Sequence, residues 1–266
     1  MTGSAAAFGQ DPAEASWLVP RLTGRWGHVG GVVPVGFEAY GRVLHPVRVE
    51  DQPPISWSAV AEAAGTQLHA LAPWHRVAPR QPGADASWWQ EGPDTGTLDP
   101  ASLVDLLDVL RRHTTTAEDC WFCLWSGYGW IHGSPAVSLL RFQDGAGWAA
   151  QPPVPPAFPA EVLAPDRLVE LPGRSHLLAR GPLDAATRLA DEVTTHGFGP
   201  QSPNLFWPSD RRWCVATEID LDSTLVGGTG ALISELLGHD RLEVFRVRPD
   251  DSLQDDGDRI NRPAAP

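Results

Sequence analysis

Residues 99–113 read DPASLVDLLDVLRRH, and this stretch carries the clearest secondary-structure signal in the chain. Asp99 suits the N-cap of a helix, and Pro100 suits the first helical position, where a missing N–H leaves no bond unmade. Leucines recur at helical spacing at Leu103, Leu106, Leu107 and Leu110. The basic residues at the end oppose the C-terminal helix dipole. We therefore predict an amphipathic helix from Pro100 to about His113.

The segments around this helix have the patterns of strands and shorter helices. We predict strands at Phe37–His45, Cys120–Trp125, around Val137 to Phe142, Trp213–Leu221 and Leu242–Val247, and a hairpin from Arg167–Leu171 and His176–Arg180. Further helices are predicted at Trp57–Ala64, from about Leu183 to Thr194, and from an N-cap at Thr229 through Leu237. The predicted fold is α+β, with mostly antiparallel sheet, a few packed helices and many loops. This fold is compatible with a division of the chain into two small lobes.

A proline-rich segment is the best candidate for a domain boundary. Five prolines fall between Gln151 and Pro159, a density that disfavours both a helix and a central strand. The predicted organisation is a disordered N-terminus (1–15), an α+β lobe (16–150), a linker (151–160), a second α+β lobe (161–248) and a disordered acidic tail (249–266).

The charged residues exclude several classes of protein. The chain has 20 basic and 33 acidic residues, for a net charge of −13, and every basic residue is arginine. Without lysine there is no P-loop, no Schiff base to pyridoxal phosphate and no kinase strand lysine. The acidic balance also disfavours a nucleic-acid partner, because such proteins neutralise phosphates with clustered basic side chains.

Other sequence features indicate a cytoplasmic protein with no membrane association. The N-terminus has neither the basic region nor the apolar core of a signal peptide, and no apolar run approaches the ~18 residues of a membrane span.

The cysteines of Cys120-Trp-Phe-Cys123 lie three residues apart in a predicted strand, so their sulfurs should point to opposite faces. We expect buried, inert thiols and no cofactor.

Three alternating carboxylates are the first candidates for chemistry. The stretch DLDSTL (220–225) resembles the opening motif of haloacid-dehalogenase-type phosphatases, in which two aspartates attack and protonate. Too few residues follow it for the doubly wound core of that family, and the chain lacks the lysine on which the family usually relies. Glu218, Asp220 and Asp222 on one strand face would alternatively form a metal site or, with His132, a hydrolase. The simplest interpretation is a solvated strand face, or an ion pair with Arg211 or Arg212.

The glycine-rich loop SGYGWIHGS (126–134) is the second candidate site. Its potential ligand-binding residues are Ser126, Tyr128, Trp130, His132 and Ser134. Flexible glycines let a ligand approach the backbone, and a planar ligand could stack on the aromatic rings of Tyr128 and Trp130. The alternative is an ordinary connection whose aromatic rings pack on the sheet.

Three further stretches carry a resemblance. GFEAYGRVLHP (36–46), CWFCLWSGYGW (120–130) and SPNLFWPSDRRWCVATEIDLDSTLVGG (202–228) resemble a family of proteins from GC-rich actinobacterial genomes that has no assigned activity. The resemblance implies a bacterial, cytosolic protein and supplies no site residues.

The sequence therefore favours a non-enzymatic binding or regulatory module, of the immunity or adaptor kind, with a protein as its partner. This hypothesis rests on the acidic charge, the many aromatic residues and the lack of a coherent catalytic set. The rival hypothesis is a metal-dependent hydrolase or phosphatase-like enzyme that uses Glu218, Asp220 and Asp222. The oligomeric state stays open.

Overall fold

A computed structural model of the chain describes residues 6–49, 52–79, 92–133, 155–189 and 201–261. Its strands are β1 (Ala7–Phe8), β2 (Ala39–Leu44), β3 (Cys120–Trp125), β4 (Val169–Leu171), β5 (Arg174–Gly181), β6 (Leu205–Pro208), β7 (Cys214–Ala216), β8 (Ser223–Gly228) and β9 (Val244–Val247). Its α-helices are α1 (Val29–Val32), α2 (Trp57–Ala64), α3 (Trp74–Val77), α4 (Pro100–Arg112) and α5 (Gly230–Leu237). Short 3₁₀ helices lie at Pro12–Ala15, Val19–Arg21, Gly129–His132, Pro165–Arg167 and Leu183–Arg188. The strand expected around Val137 to Phe142 and the end of the helix expected after Leu183 lie outside the described residues.

The nine strands form one antiparallel sheet, so the predicted α+β fold is confirmed. The strand order is β1-β5-β3-β6-β7-β8-β2-β9, with β4 pairing to the outside of β5. Strands from both sides of residues 151–160 are interleaved in this order; β5, for example, lies between β1 and β3. The proline-rich segment therefore separates two stretches of sequence that share a single sheet.

Helix α4 begins and packs as its sequence predicts. Asp99 Oδ1 accepts hydrogen bonds from the backbone N–H groups of Ala101 and Ser102, each at 3.1 Å. All four periodic leucines are buried in a core formed with α5 and one face of the sheet. Local signals also place α2 correctly, because Ser56 caps its first turn and Gly65 ends it in the left-handed conformation.

The opposite face of the sheet is covered by the two ends of the described chain. Leu18, Val29 and Val33 from the N-terminal segment and Leu253 from the C-terminal segment pack there. The ends that we expected to be disordered also contain structured residues: within 1–15, Ala7–Phe8 form β1 and Ala15 is buried on this face. The acidic residues after Pro249 form turns; Asp258, for example, is fully buried, and its carboxylate contacts His69 at 2.9 Å and caps two backbone N–H groups.

The strand predicted at Trp213–Leu221 is wrong in its extent. β7 ends at Ala216, and the chain then turns, because Leu221 N–H donates to the Glu218 carbonyl (3.0 Å) and Asp220 N–H to the Glu218 carboxylate (2.7 Å). A new strand, β8, begins at Ser223 and pairs with both β7 and β2. The DLDST stretch therefore contains a turn and the start of a strand rather than the end of one.

The N-cap of α5 provides a first test of the fold. Thr229 accepts a hydrogen bond from Leu232 N–H at 3.2 Å. Thr229→Ala removes this bond, and we expect a loss of about 1 kcal/mol in the free energy of unfolding, measured by urea denaturation. Thr229→Ser keeps the hydroxyl as the control, and equal stability of the two variants would contradict the assigned cap.

Candidate functional site

A cavity of about 300 Å³ lies on the face of the sheet that the N-terminal segment covers. Residues of β5, β6 and β7 line the cavity, and so do Pro172 and Gly173 of the β4–β5 turn. Its walls are mainly apolar: Leu22, Trp26, Val32, Leu171, Pro172, Leu205, Ala216 and Ile219. Such a volume is at the lower end of the range for small-molecule sites, which is roughly 300–1,000 Å³.

Arg174 is the charged centre of this cavity. Its Nε lies 2.5 Å from Glu218 Oε1, outside hydrogen-bond geometry, and a terminal nitrogen donates to Asp220 Oδ2 at 2.7 Å. The guanidinium also stacks on two indole rings, 5.3 Å from the centroid of Trp26 and 5.4 Å from that of Trp125. Two carboxylates thus share one arginine, and the group carries a net charge of −1.

Trp26 gives this group an exposed aromatic face. The residue is 55% exposed, although it is among the largest apolar residues in the chain. Its ring lines the cavity beside the Arg174 guanidinium. An exposed indole that stacks on a cation offers a flat apolar surface to a planar or apolar group.

His176 is the buried polar residue of the cavity. It lies on the same face of β5 as Arg174, since the two residues are separated by one strand period. It is 6% exposed, and its Nδ1 has no hydrogen-bond partner among the described residues. Burial lowers the pKa of His176 to about 4, and the Arg174 charge adds to the shift. The ring is therefore neutral at pH 7.

The other polar groups of the cavity are engaged with the protein. Asn204 accepts a bond from Trp125 N–H at 2.8 Å and donates to the Tyr128 hydroxyl at 2.9 Å. Thr217 and Thr224 share a hydrogen bond of 2.8 Å. Three buried atoms of the cavity lack a hydrogen bond among the described residues: His176 Nδ1, and Arg174 Nε and Glu218 Oε1, which face each other.

The three predicted carboxylates do not form one ligand set. Glu218 and Asp220 share Arg174, whereas Asp222 pairs with the buried Arg42 at 3.2 Å. The chain turns between them, so the alternation that would place them on one face is absent. Within the described ranges, no three His, Cys, Asp or Glu side chains are grouped to hold a metal ion. The partners that we expected, Arg211 and Arg212, are not the arginines used.

The glycine-rich loop packs against the sheet. Tyr128 stacks on Trp130 with centroids 5.9 Å apart and meets Trp125 edge to face at 5.0 Å. The Ser126 hydroxyl donates to the Ser175 carbonyl at 2.9 Å. His132 Nε2 lies 2.6 Å from the Ser126 carbonyl, which places its hydrogen bond inside the loop and not at a carboxylate. Ser134 lies outside the described residues.

The cysteines agree with their expected structural role. Cys120 is buried on one face of the sheet and Cys123 on the other, as strand alternation predicts. Burial raises the pKa of Cys120 to about 12 and raises that of Cys123 as well. All three cysteines are free thiols, and their protonated forms dominate at pH 7.

Sequence reasoning missed the residues that define this cavity. Arg174 and His176 were placed in the predicted hairpin, but only for its strand pattern. One signal was present: two polar, ionisable residues occupy alternate positions next to the Pro172-Gly173 turn. Nothing in the linear sequence connects them with Trp26, about 150 residues earlier.

Comparison of the chain with protein-family models, curated proteins and solved structures finds no match. The resemblance to actinobacterial proteins therefore stays an expectation. Of the helices described, none combines the length and the apolar character needed to cross a membrane.

Proposed function

We propose that this protein is a non-enzymatic binding module and that the Arg174 cavity is its recognition site. The observation that carries the proposal is the combination of mainly apolar walls with the half-exposed indole of Trp26, which lines the cavity and stacks on Arg174. A ligand that covers these walls and this ring removes apolar surface from water, which stabilises the complex.

The charged groups support binding rather than turnover. Glu218 and Asp220 are paired with Arg174, which restricts their freedom to move toward a reacting atom. Across the described residues, no hydrogen bond links His176 to a carboxylate that would orient it for catalysis. The arrangement fits a fixed recognition surface.

A protein partner and a cytoplasmic location belong to the same proposal. A net charge of −13 favours an encounter with a basic surface and disfavours nucleic acid. Three free cysteines suit a reducing compartment. An immunity- or adaptor-type role would use the cavity to receive one group of the partner.

The test of the proposal is the binding of a small neutral aromatic probe. We expect benzothiophene to shift the amide and indole NMR signals of cavity residues such as Trp26, Leu171 and Ile219. Trp26→Ala should weaken this binding by about fivefold, because the stacking face is lost. Val104→Ala, which trims an exposed apolar residue on α4, is the matched control and should leave the affinity unchanged. Shifts that avoid the cavity in the wild type would refute the proposal.

The hydrolase hypothesis has a direct test of its own. We expect p-nitrophenyl phosphate with Mg²⁺ or Mn²⁺ to be hydrolysed at the background rate, and Asp220→Asn to change nothing. Metal-dependent hydrolysis well above background, abolished in Asp220→Asn but retained in Asp166→Asn, would favour the enzyme instead.

A further inference from the structure

We infer that the group received at this cavity is the guanidinium of an arginine side chain on a basic partner, stacked on the ring of Trp26. This inference rests on the proposed function and specifies the chemistry of its ligand. Three observations lead to it: the surface of Trp26 that stays exposed, the charge around Arg174 and the surroundings of a second tryptophan, Trp17.

The Trp26 ring offers surface to a second cation. The Arg174 guanidinium lies over this ring at 5.3 Å, yet 55% of the tryptophan stays exposed. The residue also lines the cavity, so a group bound there can reach surface that Arg174 leaves uncovered. Among aromatic side chains, indole attracts cations most strongly, and a guanidinium adds a flat face that stacks on the ring.

The charged groups beside the ring favour a cation over an anion. Glu218 and Asp220 share the single positive charge of Arg174, which leaves the group with a net charge of −1. The Asp220 side chain is 62% exposed, and among the described residues only its Oδ2 has a partner. An incoming cation is therefore attracted by the excess negative charge, whereas an incoming carboxylate is repelled.

The walls of the cavity suit the aliphatic stem of an arginine. Leu171, Pro172 and Ile219 present apolar surface there. A long basic side chain covers such surface with its methylene groups and keeps its charged head in a polar or hydrated position. Lysine has a similar stem, but its compact ammonium is strongly hydrated and has no flat face to lay on an indole. The cavity therefore favours arginine.

Trp17 shows that an indole of this protein can hold two guanidiniums. Arg21 lies over its ring at 5.5 Å and Arg211 at 5.3 Å. Trp26 has one such contact, with Arg174. An arginine from a partner would supply the second contact and reproduce at Trp26 the arrangement that the chain forms internally at Trp17.

The experiment compares two probes that differ mainly in charge. N-acetyl-argininamide and N-acetyl-citrullinamide have the same stem and planar head groups of nearly the same shape, but only the first is a cation. We expect the arginine probe to bind wild-type protein about fivefold more tightly, by NMR titration of the Trp26 indole signal, because it alone is attracted to the ring and the excess carboxylate. Raising the salt concentration to about 1 M, where the Debye length is roughly 3 Å, should shrink this preference.

Asp220→Asn supplies the matched variant. It removes the excess negative charge and keeps the size of the side chain, so the affinity for the arginine probe should fall by about threefold or more. The affinity for the citrulline probe should change little. Asp108→Asn makes the same change of charge at an exposed position of α4, on the opposite face of the sheet, and should leave both affinities unchanged. If Asp220→Asn fails to fold, the comparison of the two probes on wild type still decides.

Two further probes test which cation the cavity takes and where it comes from. N-acetyl-lysinamide should bind at least about threefold more weakly than the arginine probe, because its head group cannot stack; equal binding would overturn the assignment of a guanidinium. Free arginine, whose own carboxylate is repelled, should bind no more tightly than the capped probe. Tighter binding of free arginine would overturn the assignment to a partner's side chain.

The outcomes separate this inference from the proposed function. Equal binding of the arginine and citrulline probes would overturn the inference, while benzothiophene bound at the cavity would leave the binding module standing. If neither the amino-acid probes nor benzothiophene bind there, the proposed function fails as well.

Discussion

Trp213→Ala is expected to lower the free energy of unfolding by about 3–5 kcal/mol. The Trp213 ring is fully buried and meets Phe206 edge to face, with centroids 5.7 Å apart. Its indole N–H donates to the Leu110 carbonyl at 3.1 Å, which ties the last turn of α4 to the sheet. The substitution leaves a large cavity and removes the indole bond to the Leu110 carbonyl, which then keeps only the His113 N–H as its donor. Urea denaturation followed by circular dichroism measures the loss.

Trp26→Ala is the matched control, because it removes the same side chain from an exposed position. Only the stacking on Arg174 is lost there, so the change should stay within about 1 kcal/mol. If the two tryptophan variants were equally stable, the assignment of Trp213 to the core between α4 and the sheet would be wrong.

Arg42→Met should destabilise the protein by about 3 kcal/mol. Arg42 is 2% exposed, and its guanidinium donates to the Ser223 hydroxyl (2.9 Å) and to the carbonyls of Ala70 (3.0 Å) and Ala72 (3.1 Å). It also pairs with Asp222, which methionine would leave without its cation. This loss of stability is smaller than the largest losses known when one partner of a buried ion pair is removed. The reason is that the Asp222 side chain is partly exposed to water, which solvates its charge.

Arg42→Lys tests whether the charge or the fork of donors matters. Lysine keeps the charge but lacks the planar fork that serves several acceptors at once, so its stability should lie between those of the wild type and Arg42→Met. Chemical denaturation of the three proteins gives the order. A methionine variant as stable as wild type would show that these acceptors do not depend on Arg42.

The parts of the fold that the sequence predicts are those with local causes. Helix α4 follows from Asp99, Pro100 and the leucine spacing, and α2 from Ser56 and Gly65, because capping and amphipathic packing involve residues within a few turns. The β4–β5 hairpin follows from the Pro172-Gly173 turn for the same reason. Each of these elements was found at its predicted place.

The parts that the sequence did not predict depend on distant contacts. The alternation of apolar and polar residues predicts a strand that continues through Glu218 and Asp220. In the structure the chain turns there, because Leu221 N–H bonds to the Glu218 carbonyl and Arg174 pairs with the Glu218 carboxylate. The acidic end was expected to be disordered from its composition, yet His69 and backbone donors hold Asp258 in the interior. In both cases carboxylates have partners that no local pattern reveals.

The candidate site shows the same limitation more strongly. Glu218 and Asp220 were candidates from their spacing alone, and the cavity does contain Glu218. The tryptophan comes from one stretch of the chain, and the arginine and histidine come from another, β5. Only the tertiary fold brings them together, and this fold cannot be read from one sequence without contact information.

The pairing of β2 with β8 has a consequence for how the protein acquires its structure. Leu44 and Ser223 are register partners although 179 residues separate them, and the other neighbour of β2, β9, comes later still. During synthesis, β2 cannot take its place in the sheet until β8 and β9 have been made. Loop closure over such a span is slow, so refolding should take place over milliseconds to seconds.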